Sequence, residues 1–224
     1  MMAAGLIDGW VEALLALVLV TGAFIVSRRD LHSLVFAYTI QSLFLVFIAL
    51  LLYLAHPSEV LLSIALLTLS SKVLLIPYTI KRIQKQIKIS RDVEFHYISP
   101  TGSLFVTILL FLFVYYSFSG VIGGLFTADK ISYTGAVFGV SLMLMGMLVT
   151  FSRKKVITKI IGYLTMENGV LLFGLFLTEL PLIIEVLIII DLIIMVLLVT
   201  ILAAGMDSTM EEFHNRLHIF RRED

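Results

Sequence analysis

Residues 180–204 read LPLIIEVLIIIDLIIMVLLVTILAA, an apolar run in which Glu185 and Asp191 are the ionisable side chains. About 20 consecutive apolar residues cross the hydrocarbon core of a bilayer as a helix. A helix is required because lipid offers no partner to free backbone groups. The stretch therefore reads as a transmembrane helix, and its acids are costly there. A charged side chain near the bilayer centre costs roughly 2.5–3.5 kcal/mol on insertion scales. Asp191 has VLIII before it and LIIMVLLV after it. Its side chain is too short to reach water from that position, so it must face protein or a hydrated cavity. Residues of this kind mark ion pathways.

Six further runs of the same character lie upstream, at about 9–27, 31–54, 59–80, 101–126, 131–152 and 158–178. The expected fold is an all-α membrane protein with seven transmembrane helices. Composition agrees: 60% of the 224 residues are hydrophobic and 14% are charged, against about 25% charged in a soluble domain. A formal net charge of zero gives no sign of nucleic-acid binding. With no cysteine, disulfides, thiolate-held iron–sulfur clusters and Cys-based zinc sites are excluded from this chain. Any redox chemistry belongs to a partner. The start lacks a basic segment and a clear cleavage site, so the first run is expected to be a retained helix.

The loops set the orientation. Arg28 and Arg29, then Lys81, Arg82, Lys85, Lys88 and Arg91, then Arg153, Lys154, Lys155 and Lys159, and finally Arg216, Arg221 and Arg222 fall on one side, whereas Lys130 falls on the other. The positive-inside rule then puts the N-terminus outside and the C-terminus in the cytoplasm. The basic loop 81–100 serves as a docking surface for a soluble partner or as a topological anchor on anionic lipid. A weak repeat accompanies this layout. Ser27-Arg28-Arg29 and Tyr38 match Ser152-Arg153-Lys154 and Tyr163 at a constant offset, and Pro57 and Glu59 answer Pro181 and Glu185 with slight drift. Two parallel three-helix units are suggested: 1–100 with the basic loop, and 131–206. A linking helix would occupy 101–130 and a cytoplasmic tail 207–224.

Three charged residues share a depth. Glu179-Leu180-Pro181 makes a tight turn between the sixth and seventh spans, with Glu167 twelve residues before Glu179 and Asp191 twelve after it. At about 1.5 Å per residue both carboxylates lie near the midplane. Lys72 lies thirteen residues into the third span from Glu59, within about one turn of the same level. A neighbouring cation favours the charged form of a carboxylate and loss of water favours the neutral form, so such a group can take up and release a proton as its surroundings change. Whether the three share an interface is not fixed by spacing. Glu185, about 9 Å nearer the outer end than Asp191, would extend a relay outward or remain a solvated end charge.

The bland readings are structural. Lys72 with either acid would glue helices together, and Glu167 with Asn168 would satisfy hydrogen bonds at a tight crossing. Gln41 and Ser42 sit in the second span at the depth of Glu167. Pro77 removes a backbone donor from the third span, and Gly162, Gly169 and Gly174 permit close packing. His32 and His56 flank the second span as boundary anchors. No phosphate loop, metal-spaced His pair or nucleophile–base set is present, so no catalytic, cofactor-binding or metal-binding residue is assigned.

The stretch Ile161–Met206, with Met166-Glu167-Asn168-Gly169, Leu180-Pro181-Leu182, Glu185 and Asp191, resembles component E of hydrogenase-4. That family is similar to the K-type subunit of respiratory complex I. The resemblance implies that 131–206 is a K-type-like unit in a complex-I-like, membrane-bound assembly. It implies partner subunits of two kinds, antiporter-like membrane subunits and soluble hydrogenase subunits carrying a nickel–iron centre and iron–sulfur clusters. It also implies that Glu167 corresponds to a K-type glutamate of the ion path, while Glu185 and Asp191 compete for the next position. The expected function is proton or sodium translocation through Glu167, Asp191, Glu185 and Lys72, coupled to redox chemistry in the partners. The alternatives are a structural linker without ion transport and a stand-alone transporter.

Overall fold

The structure is a computed structural model and describes residues 2–28, 30–87, 100–121, 130–153 and 156–176. Every element among them is helical: α1 (Met2–Ser27), α2 (Leu31–Ala55), α3 (Glu59–Thr68), a π-helical turn (Leu69–Leu75), α4 (Ile76–Ile87), α5 (Pro100–Val121), α6 (Lys130–Ser152) and α7 (Val156–Phe176). α3, the π turn and α4 follow one another without a break and form the third span. Five helical stretches are long and apolar enough to cross a membrane, and a sixth apolar stretch, Gly102–Phe118, is shorter. This is the build of a membrane-embedded protein. The expected seventh span, with Glu185 and Asp191, lies outside the described residues.

Local chemistry sets the helix ends. Asp30 caps α2, its Oδ2 accepting from the Ser33 amide at 3.1 Å and the Ser33 hydroxyl at 3.0 Å. Such a cap satisfies donors that the first turn would otherwise leave free. Pro57 follows the α2 C-cap at His56 and prevents continuation. α5 begins on Pro100, where the missing N–H costs nothing. α4 runs past the expected end of the third span to Ile87, because the apolar period Ile76, Ile80, Ile83 and Ile87 continues into the basic loop.

α1 and α6 run parallel. At one end Glu12 meets Lys130 at 3.7 Å. At the other, the Arg153 guanidinium donates to the carbonyls of Ile25 at 3.4 Å, Val26 at 3.1 Å and Arg28. The two contacts lie roughly 20 Å apart along α1. α6 and α7 pack most tightly, through glycines. A Cβ on Gly146 would stand 2.2 Å from the Met166 backbone nitrogen, and one on Gly139 would stand 2.6 Å from that of Phe173. Backbone approach of this kind drives helix association in lipid, where apolar burial does not.

Two apolar clusters fill the interior. One, at the end bearing Arg28 and Arg153, includes Ile25, Leu34, Tyr38, Ile80, Met145 and Leu164. The other, toward Glu12 and Lys130, includes Val11, Leu15, Leu45, Ile48, Leu172 and Phe176. α5 stands on the outside, with Phe105, Ile108, Phe113 and Tyr116 exposed, and leans on α6 through an edge-to-face contact of Phe111 with Phe138.

Candidate functional site

Between the two apolar clusters lies a polar layer. Gln41, Ser42, Thr68, Lys72, Glu167 and Asn168 are all buried. Gln41 is about 15 Å from the start of α2 and about 21 Å from its end, so the layer crosses the middle of the bundle.

Lys72 reaches it from the π turn. Here the Ile76 amide donates five residues back, to the Ser71 carbonyl, rather than the four of an α-helix. Two features of the sequence favour a wide turn at this place. Pro77 has no N–H for the usual α-helical bond to Val73. Ser70 and Ser71 both turn their hydroxyls back onto the Leu67 carbonyl, at 3.0 and 2.7 Å, a bond that loosens helices. Single π turns inside helices occur frequently at functional sites.

The Lys72 ammonium stands 3.1 Å from Glu167 Oε1 on α7, with side-chain exposures of 1% and 4%. The shared depth expected from spacing is thus realised as direct contact. The pairing is one of charge: neither Glu167 oxygen accepts a directed hydrogen bond. Buried pairs like this gain less than their Coulomb attraction suggests, because both ions have lost water.

Asn168, the next residue, turns to α2. Its Nδ2 donates to Gln41 Oε1 at 3.2 Å and to Ser42 Oγ at 3.1 Å. Gln41 Nε2 in turn donates to Thr21 Oγ1 at 3.4 Å and to the Val18 carbonyl at 3.5 Å on α1, and Thr21 closes the chain onto Val18 at 2.7 Å. Four segments, α1, α2, the π turn and α7, are therefore joined by polar side chains at one level. The expectation that Glu167 with Asn168 would satisfy hydrogen bonds at a tight crossing holds for Asn168 and not for Glu167, whose oxygens accept none. The depth match of Gln41 and Ser42 with Asn168 and Glu167 was legible in the sequence.

Arg153 was not. It counts with the loop cations by sequence, yet it is 3% exposed. It satisfies the end of α1, where free carbonyls attract a cation. Its place directly after an apolar run, in register with Arg28, gave no sign of burial. Glu12 and Lys130 are exposed, as expected of end residues. Asp191 and Glu185 lie outside the described residues. Among the described residues no group of three or more His, Asp or Glu side chains is placed to hold a metal. The chain matches no family model, no curated relative and no solved structure.

Proposed function

We propose that the chain is a membrane-arm subunit of a complex-I-like, membrane-bound hydrogenase assembly, and that it moves protons or sodium ions through a midplane layer of buried charge. Lys72 and Glu167 form one part of that layer. Asp191 and Glu185, on a seventh span, are its continuation. The N-terminus is outside, the C-terminus is in the cytoplasm, and the membrane is the cell membrane. The nickel–iron centre and iron–sulfur clusters reside on partner subunits, and this chain contributes no catalytic residue.

One observation carries the reading: a lysine and a glutamate, both almost fully buried, meet at 3.1 Å in mid-bundle. A pair whose only task is to hold helices together is readily replaced by apolar side chains at no loss of stability. An ion path requires the charges themselves, because a change in pairing or hydration alters the hold on a proton. Apolar clusters lie above and below the layer among α1, α2, α6 and α7 and disfavour a direct path for a charge to either surface. Traffic through Glu167 then runs within the membrane plane, toward the seventh span or a neighbouring subunit. That is the work of a subunit within an assembly rather than of a stand-alone transporter.

The test is gentle purification of a tagged chain, with identification of co-purifying subunits and assay of nickel and iron. Recovery of hydrogenase subunits and metal is expected. In that complex Glu167→Gln should abolish redox-driven ion movement while leaving subunit composition unchanged. Recovery of the chain alone as a homo-oligomer, or full pumping by the variant, would refute the proposal.

A further inference from the structure

At the end of the bundle opposite Arg153, helices α1, α2, α6 and α7 enclose a cavity of about 450 Å³, a volume typical of a binding site. Val11, Leu175 and Phe176 line it and are buried, so they form its floor. Asp8 and His56 line it and are exposed, so they form its mouth. Ser132, partly buried, is the third polar residue of the wall. The bundle makes no use of the two groups at the mouth. Neither Asp8 nor His56 has a hydrogen bond or an ion pair among the described residues. Lys130, the cation at this end, is engaged with Glu12 at 3.7 Å. An apolar floor left uncovered forfeits the dispersion contacts of its lining. In a membrane, lipid is the apolar material at hand to restore them.

We propose that this cavity is a binding site for one phospholipid with a primary ammonium head, of the phosphatidylethanolamine type. The site requires only that the chain is embedded in a membrane, and it does not depend on ion transport through Glu167. The sign of the mouth selects the head group. Asp8 brings a carboxylate with no cation of the described chain against it, and a primary ammonium answers it with charge and with three N–H donors. His56 and Ser132 each carry a donor suited to a phosphate oxygen. Beyond the phosphate, the apolar part of the lipid covers Val11, Leu175 and Phe176. Other amphiphiles match this lining less well. An anionic lipid would bring its phosphate to Asp8 without a compensating cation. A choline head keeps the positive charge but has no N–H to give. A neutral quinone would leave the carboxylate uncompensated.

The test uses the full chain, delipidated in mild detergent, and native mass spectrometry to count bound lipid. Dioleoyl phosphatidylethanolamine, phosphatidylcholine and phosphatidylglycerol are titrated in separately. One ethanolamine lipid should be held per chain, about 10-fold or more tighter than either of the others, the worth of a charge-assisted bond. This comparison needs no variant to fold. Asp8→Asn should weaken the ethanolamine lipid by about 10-fold or more and erase its advantage over phosphatidylglycerol. Ala55→Trp, which adds bulk at an exposed position on the cavity wall, should abolish one-to-one binding. Glu12→Gln, at the same end but outside the cavity, should bind as the wild type does. Circular dichroism and thermal scans without lipid identify the folded variants. The proposal is overturned if the wild type holds the three lipids equally, or if it holds none at one per chain. Wild-type affinity for the ethanolamine lipid in a folded Asp8→Asn or a folded Ala55→Trp would overturn it as well.

Discussion

A lone ammonium or carboxylate inside a bundle is far worse than the pair. Lys72→Met leaves Glu167 uncompensated at 4% exposure, and breaking one side of a buried pair typically costs about 3–5 kcal/mol. We expect Lys72→Met to lower the thermal unfolding temperature in detergent strongly. The double variant Lys72→Met/Glu167→Gln should recover most of that loss, and equal losses in single and double variants would show that the contact carries no coupling. Arg153 makes a separate case. Its guanidinium serves three carbonyls at the end of α1, and hydrogen bonds to a charged group contribute roughly 1.5–3 kcal/mol each. Arg153→Met should therefore destabilise by about 2 kcal/mol or more, whereas the exposed Lys159 should tolerate the same change within about 0.5 kcal/mol. Paired thermal scans decide it. The contrast between these residues shows what the sequence offers. Lys72 and Glu167 were conspicuous because charge is rare in an apolar run, and counting residues gave their depth. Their contact depends on the rotation of each helix about its axis, which packing sets. Arg153 sits at a boundary where cations are ordinary, so nothing in its surroundings distinguished a buried clamp from a lipid-facing anchor.

Helix rotation is fixed by glycine at the α6–α7 seam. Gly146 lies against the Met166 backbone, one residue before Glu167, and Gly169, one residue past Asn168, would place a Cβ 2.4 Å from the Met143 nitrogen. The glycines thus bracket Glu167 and Asn168, the α7 residues of the buried polar layer. Backbone cannot yield as a side chain does, so Gly146→Ala should force the helices apart at a cost of about 1–3 kcal/mol and draw Glu167 away from Lys72. Gly9, with nothing within 4 Å of an added Cβ, supplies the control. Its change to alanine should be neutral or favour the helix by up to about 1 kcal/mol. Thermal stability of the two variants side by side is the measurement, and equal behaviour would rule out the seam as the determinant. The helices themselves were readable from apolar length and from Asp30, Pro57 and Pro100 at their ends. The π turn was not, although both of its local causes, the Ser70-Ser71 pair and Pro77, were visible. An interrupted hydrogen-bond ladder can bend, widen or stay straight, and sequence does not say which.

At the scale of the molecule, the contacts at both ends of α1 and α6 establish that these helices are parallel. Parallel α1 and α6 follow if α2, the α3–α4 rod and α5 each cross the membrane between them. The same alternation puts Arg28, Lys81, Arg153 and Lys159 at one end and Glu12 and Lys130 at the other. The chain has no cysteine, so single cysteines can report sidedness without background. Cysteine at Lys130 should react in intact cells with a maleimide that cannot cross the membrane. Cysteine at Lys81 or Lys159 should react only after the cells are opened. A reporter active only in the cytoplasm, fused after Asp224, should be active if a seventh span follows α7 and silent if none does. Labelling of Lys81 and Lys130 from the same side would break the alternation at α5, the least apolar-length of the candidate spans. It would also remove the reason for parallel α1 and α6, so the topology and the packing stand or fall on one experiment.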